Sequence, residues 1–308
     1  MGADAWPPLP LSAWQDTRDT LHLWTQVVGK TRLALAPMVN HWWQVPLYVS
    51  ARGLTTSRVP YRDDGFAVDF DFIDHQLVVQ RDDGREWTLP LRPRSVAGFY
   101  ADYMAGLRSI GIDVRIRPLP VEIADAIPFE RDEQHAAYDP EAAHRFWRAL
   151  AQADRVLQLF RGRYVGKSSP VHFFWGSFDL ACTRFNGTRA PTHPGGMPGL
   201  ADWVAREAYS HSCISAGWWP GNAGGPVTEP AFYAYAYPEP AGCPTAVIRP
   251  ESAFYNGQMR EWILPYDTVR AAPDPDRVAL EFFQSTYEAA AMLGGWDRSA
   301  LERSDHAR

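Results

Sequence analysis

The chain has 308 residues, of which 46% are hydrophobic and 13% aromatic, and its formal net charge is −6. This length and composition allow a large apolar core that needs no disulfide or metal to hold it together. The acidic balance provides no basic surface for nucleic acid or anionic lipid, and no apolar stretch approaches the roughly 18–20 residues of a membrane span. Cys182, Cys213 and Cys243 lack a C-x-x-C spacing, which argues against a disulfide framework and favours the cytoplasm.

Residues 1–117 have the pattern of one helix–sheet–helix unit. Apolar residues at helical spacing predict a helix over 12–36, ended by Pro37. A second helix is predicted from Pro93 to Gly111, whose glycine is typical of a helix end. Aromatic, β-branched or alternating residues predict strands at 41–56, 65–80 with a turn at 74–75, 85–91 and 114–117.

A Pro-rich connector, 118–140, leads into a second part, 141–308, with the same kind of pattern. Helices are predicted over 141–163 and 275–294, the latter capped by Asp274. Predicted strands cover residues 171–185, 231–237, 245–249 and 260–264.

Three pairs of short strings suggest that the two parts are diverged repeats. Val28-Gly29-Lys30 matches Val165-Gly166-Lys167, and His41-Trp42-Trp43 matches His172-Phe173-Phe174. The third pair, at 85–90 and 260–265, is identical at five of six positions. We therefore predict an α+β fold made of one compact body, with two helix–antiparallel-sheet–helix repeats related by a pseudo-twofold and long helices over one face of the sheet. The second repeat contains an insertion at 187–229, and long insertions are often functional.

The insertion contains the residues that we predict to bind a divalent metal, Zn, Fe or Mn. A helix is expected over 200–211, which would place Glu207 and His211 on one face at the spacing of paired metal ligands. His193 and Asp179 complete the predicted set. The alternative is an ordinary surface pair near the end of a helix.

Lys30 and Lys167 are the two lysines among 30 basic residues, and they occupy matching tripeptides. An ammonium with a tunable pKa moves protons in ways that a guanidinium does not, so we predict catalytic roles for both lysines and for His172. The alternatives are cations at helix ends and, for His172 and its counterpart His41, core imidazoles bonded to backbone. The Gly-Lys-Thr and Gly-Lys-Ser strings lack the upstream glycine and the strand–loop–helix order of a phosphate loop, so we expect no nucleotide cofactor.

Aromatic residues of the second part are predicted to bind the substrate, although such residues more often form core. The alternation of tyrosine and alanine places Tyr233 and Tyr235 on one face of a strand. The predicted substrate-binding residues are Trp175, Tyr209, Trp218, Tyr233 and Tyr235.

Several strings resemble an uncharacterised bacterial family of roughly this length, known as a domain of unknown function. They are Trp6-Pro-Pro-Leu-Pro10, residues 20–30, Asn40-His-Trp-Trp43, residues 70–75, residues 172–180 and Arg206-Glu-Ala-Tyr-Ser-His211. The resemblance spans nearly the whole chain and implies no activity.

The sequence thus predicts a metal-dependent enzyme that acts on a small, anionic molecule, with its site where the insertion folds over the sheet. The alternative is a non-catalytic protein that binds a small molecule in an aromatic pocket, with lysines contacting an anionic group.

Overall fold

The four long helices of the computed structural model, which describes residues 5–303, begin and end within a few residues of the predicted positions. Asp139 and Asp274 cap the two long helices of the second part, accepting hydrogen bonds from Glu141 N at 2.9 Å and from Arg277 N at 3.1 Å. The helices are Gln15–Leu35 (α1), Val96–Ser109 (α2), Pro140–Gly162 (α3), Asp202–Ala208 (α4), Tyr266–Arg270 (α5), Pro275–Leu293 (α6) and Arg298–Leu301 (α7). Within the described residues, no helix combines the length and the apolar character needed to cross a membrane.

The first part of the chain forms an antiparallel sheet of six strands. Their order is β1-β2-β4-β5-β6, with β3 paired to β4. Gly84, at a φ of 86°, makes the hairpin turn between β5 and β6. The strands are Tyr48–Val49 (β1), Gly53–Thr55 (β2), Val59–Tyr61 (β3), Asp64–Asp71 (β4), Gln76–Arg81 (β5) and Glu86–Pro90 (β6).

The second part forms an antiparallel sheet of seven strands, ordered β12-β13-β11-β10-β9-β7 with β8 paired to β9. The two sheets meet where Leu47 and Phe173 exchange two backbone hydrogen bonds of 2.9 Å. The strands are Lys167–Ser168 (β7), His172–Phe174 (β8), Asp179–Arg189 (β9), His211–Trp219 (β10), Ala231–Tyr237 (β11), Phe254–Asn256 (β12) and Glu261–Pro265 (β13).

Phe146 of α3 lies at the centre of the shared core. Its ring stacks on Trp14 and on Phe178, both at 5.2 Å, and approaches Phe72 at 6.4 Å and Trp218 at 6.1 Å. Since Phe72 follows β4 and Trp218 lies on β10, one side chain contacts both halves of the molecule. Burial of such large rings supplies much of the free energy of folding.

Some predicted strands are different in the structure. The segment 171–185 is a hairpin rather than one strand, because Phe178 adopts a φ of 61° and reverses the chain between β8 and β9. Residues 114–117 and 245–249 form no strand; Cys243–Thr245 is a short 3-10 helix. The long segment 41–56 is divided into a 3-10 turn, Asn40–Trp42, and the short strands β1 and β2.

The α+β class is confirmed, whereas the structure does not confirm the pseudo-twofold. Of the three matched strings, only the third occupies equivalent places, β6 and β13, each followed by a helix. Lys30 lies inside α1 but Lys167 lies on β7. His41 lies in a 3-10 turn but His172 lies on β8. Similar strings therefore serve different structural roles in the two parts.

Candidate functional site

The second sheet has two different faces. Trp218 and Phe232 project towards the helices, where Phe232 approaches Phe283 of α6 at 5.7 Å. The paired residues next to them, Gly217 and Tyr233, belong to the opposite face because successive side chains alternate. That opposite face is covered by the connector and by α4 with its preceding loop, and it contains the candidate site.

Two adjoining cavities lie on this face. The first, here called the aromatic chamber, has a volume of about 460 Å³, and the second, the polar cleft, about 740 Å³. Aromatic side chains form much of the chamber wall: Trp42, Trp43, Phe174, Trp175, Phe185 and Trp203. The cleft is lined in part by Asp19, His22, Asp132, His135 and Glu261. Residues common to both include Glu122, Asp179, Tyr209, Tyr233 and Tyr235.

Helix α1 fixes the border between the two cavities. Gln26 exchanges two hydrogen bonds of 2.9 Å with the backbone of Val121, the neighbour of Glu122. His22 lies 2.8 Å from the carbonyl of Gly176 in the β8–β9 turn. The connector is also tied to the insertion, because Glu122 N donates to Pro198 O at 2.8 Å. Segments distant in sequence are thus held together at the site.

Asp179, the first residue of β9, lies at this border and is only 7% exposed. The hydroxyls of Ser177 and Tyr233 both donate to its carboxylate. Burial raises the pKa of Asp179, while the two hydroxyls oppose that rise by stabilising the charged form. Gly217 makes the arrangement possible, since a Cβ there would lie 2.3 Å from the Tyr233 ring.

The charge of Asp179 also changes the pKa of two further carboxyl groups. Desolvation of the carboxyl and then repulsion from Asp179 raise the pKa of Glu122 to about 7, while the residue as a whole remains exposed at the surface. The same two causes raise the pKa of Glu261 to about 8. Each group can therefore hold a proton near neutral pH and release it to a base, which is the property of a general acid.

Hydroxyl groups extend this network across the sheet. The Tyr209 and Tyr235 hydroxyls are 2.8 Å apart, and burial raises the pKa of both phenols. Tyr209 follows α4, so its contact with Tyr235 of β11 joins the covering segment to the sheet. The His193 ring stacks on the Tyr209 ring, with the ring centroids 4.8 Å apart.

Four of the five predicted substrate-binding residues line the chamber: Trp175, Tyr209, Tyr233 and Tyr235. Trp175 is held by a 2.8 Å bond from its Nε1 to Val45 O and by Gly29, where a Cβ would overlap the indole at 2.3 Å. Trp218 is not at the site. It is fully buried on the helix-facing side, where it packs against Phe146.

The four predicted metal ligands do not come together. Helix α4 ends at Ala208, so His211 lies on β10 and does not share a helix face with Glu207. His193 Nδ1 accepts a hydrogen bond from Gly195 N at 3.0 Å, and His211 Nδ1 lies 3.0 Å from Ser210 Oγ. Among residues 5–303, no group of three or more His, Cys, Asp or Glu side chains is placed to hold a metal ion.

The three predicted catalytic residues are also separated. Lys30 is 3% exposed, its Nζ lies 5.8 Å from the Trp175 ring centroid, and burial, with repulsion from Arg117, lowers its pKa to about 8. Lys167 is exposed on β7. His172 is 1% exposed and lies behind the chamber wall. Its counterpart His41 does line the chamber, so the two histidines differ in place.

A comparison with protein-family models decides the family. One model, described as a family of unknown function (DUF5996), matches residues 6–303. The chain belongs to this family. The match confirms the resemblance in the sequence strings and spans both parts of the DUF5996 chain. Neither the search of curated proteins nor the search of solved structures found a match.

Glu122 and Glu261 line the candidate site of this DUF5996 chain, and the sequence did not single them out. Glu122 lies in the Pro-rich connector, where nothing in the sequence distinguishes it from an ordinary exposed acidic residue. Glu261 belongs to the repeated string 260–265 and has an exposed counterpart, Glu86. The sequence also did not predict that His41 and Trp42 line the chamber. Their φ values are 59° and 64°, which residues other than glycine rarely adopt. The bond between His41 Nδ1 and Ala208 O, 2.9 Å long, ties this strained turn to α4.

Proposed function

We propose that this protein is an enzyme that transfers a proton to or from a small molecule held in the aromatic chamber. The observation that supports the proposal is the group of three carboxyls, Asp179, Glu122 and Glu261, at the border of two cavities. Carboxyl groups with a pKa raised towards neutrality are typical of general acids and bases. Asp179, oriented by Ser177 and Tyr233, is the group best placed to act as the base.

The surroundings suit this chemistry. Apolar aromatic walls remove water from a bound molecule and strengthen electrostatic interactions inside the chamber. Cys213 lines the same chamber, but burial raises the pKa of its thiol to about 12, so it remains a protonated, weak nucleophile. Proton transfer is therefore better supported than covalent catalysis by cysteine.

The proposal does not use the metal predicted from the sequence. Zinc, iron or manganese at Glu207, His211, His193 and Asp179 would require four side chains that lie apart in the structure. The lysines likewise do not supply an anion site within the chamber, since Lys167 is exposed on β7 and Lys30, buried in α1, lines neither cavity. If an anionic group is recognised, residues other than these lysines must do it.

A non-catalytic binding protein is the second candidate. The observation that favours it is the size and composition of the chamber, because about 460 Å³ lined by several tryptophans is enough to bury a small ligand without any reaction. In that case, Asp179 would fix the ligand by a hydrogen bond, and its replacement by asparagine would weaken binding rather than chemistry.

One experiment separates the two candidates. A bacterial small-molecule extract is incubated with the wild type, with Asp179→Asn and with Asp63→Asn, a control in an exposed turn of the first sheet, and profiled by mass spectrometry. We expect at least one compound to be consumed by the wild type and the control but not by Asp179→Asn. If compounds are retained by all three proteins and none is converted, the enzyme proposal is wrong and the binding protein is favoured.

A further inference from the structure

His172 has an unusual environment for a buried polar side chain. It is 1% exposed, and neither ring nitrogen has a hydrogen-bond partner within the described residues. Burial and the positive charges of Arg32 and Arg161 lower the pKa of His172 to about 3. The imidazole is therefore neutral, with one donor and one acceptor nitrogen. Leaving such groups unpaired in a buried place is unfavourable, so a polar partner is indicated.

His172 lies on the side of the sheet that forms the chamber. It pairs with Ala181 across the β8–β9 ladder, and Phe174 pairs with Asp179. Directly opposed residues project to the same face, and Ala181, Phe174 and Asp179 all line the chamber. The rings of Trp43, at 5.7 Å, and Phe174, at 5.4 Å, pack edge-on against the imidazole, and both also line the chamber.

Arg32 approaches the same end of the chamber from α1. Its Nε donates to Gln44 O at 2.6 Å, between Trp43 and Val45, which both line the chamber. Its Nη1 is buried and has no hydrogen-bond partner in the described part of the chain. The Tyr48 ring packs against both groups, 5.4 Å from the Arg32 guanidinium carbon and 5.6 Å from the His172 ring. No carboxylate of the described residues forms an ion pair with Arg32.

We propose that Arg32 and His172 bind a carboxylate of the ligand, entering between Trp43 and Phe174, and that the substrate is an aromatic or apolar carboxylic acid. One free N–H of each residue matches the two oxygens of a carboxylate, and a guanidinium without an acidic partner supplies the opposite charge. The body of the ligand fills the chamber, and its other end reaches Asp179. This inference rests on the proposed function, because it uses the same chamber.

The test uses two probes of the same shape, 3-phenylpropionate and 3-phenylpropanamide. Their dissociation constants are measured by ligand-observed NMR with the intact wild type. We expect the acid to bind about tenfold to a hundredfold more tightly than the amide, the range of a charge-assisted hydrogen bond. Equal affinities, or no binding of either probe, would overturn the inference, and equal affinities would indicate that water satisfies His172 and Arg32. This comparison needs no variant to fold.

Variants then locate the carboxylate. In Arg32→Gln and in His172→Phe the preference for the acid should fall to about twofold or less, whereas in Arg189→Gln, an exposed control on β9, it should be unchanged. An unchanged preference in Arg32→Gln contradicts the inference. Asp179→Asn should retain the preference while losing turnover. Loss of turnover without any acid preference would leave the enzyme proposal standing and remove only the carboxylate site.

Discussion

Replacing Glu261 with glutamine tests whether the cleft raises the pKa of its carboxyl. Burial and the charge of Asp179 raise that pKa from 4.5 to about 8. The folded state therefore holds a proton that the unfolded state releases between these pH values. The contribution of Glu261 to stability is greatest below pH 4.5, falls as the pH rises from 4.5 to about 8, and levels off above that value. Glutamine has no proton to lose, so Glu261→Gln should not show this fall.

The size of this loss of stability follows from the difference between the folded and unfolded pKa of Glu261. One pH unit of pKa difference corresponds to about 1.4 kcal/mol, so the rise from 4.5 to about 8 sets an upper limit of roughly 5 kcal/mol. Glu261 is only partly buried, and solvent screening reduces the effect. We therefore expect the wild type to lose about 1–2 kcal/mol relative to Glu261→Gln between pH 5 and pH 9.

Urea unfolding of both proteins at single pH steps from 5 to 9 gives the measurement. The matched control is Glu86→Gln, since Glu86 holds the same place in the repeated string but is exposed on β6. Its stability should follow that of the wild type across the range. If wild type and Glu261→Gln keep a constant difference, the cleft does not raise the pKa of Glu261, and the general-acid part of the proposed function loses its support.

Other substitutions test the core and the two lysines. Phe146→Ala should lower the free energy of unfolding by about 3–5 kcal/mol in urea, because its ring contacts both halves of the core; a loss below about 1 kcal/mol would show that the halves do not depend on it. Lys30→Arg should cost about 1–3 kcal/mol in the same assay, since the larger head group must fit against Trp175. Lys167→Arg should change stability by less than about 0.5 kcal/mol and leave turnover of any identified substrate intact; a loss of turnover would restore the catalytic role predicted from the sequence.

Much of the architecture is encoded locally and was predictable. The ends of α2, α3 and α6 depend on a capping aspartate or a terminal glycine within a few residues. The hairpin at Gly84 depends on a positive φ that glycine tolerates. The alternation that places Tyr233 and Tyr235 on one face follows from the pleat of a strand. Each of these features is decided by neighbours in sequence, which is why the α+β class and four of the chamber's aromatic residues could be inferred.

The candidate site depends on contacts between distant segments. Strings identical at five of six positions give Glu86 an exposed position and Glu261 a place in the cleft, because different segments cover the two sheets. Glu122 lies at the site because Gln26 of α1 forms hydrogen bonds with the connector. His211 is not part of the predicted helix, because it and the residues after it pair with β9 and β11 as strand β10. The sequence by itself determined the four long helices and the Gly84 hairpin. Tertiary structure decided which carboxyls lie together, since desolvation and charge repulsion depend on neighbours in space rather than along the chain.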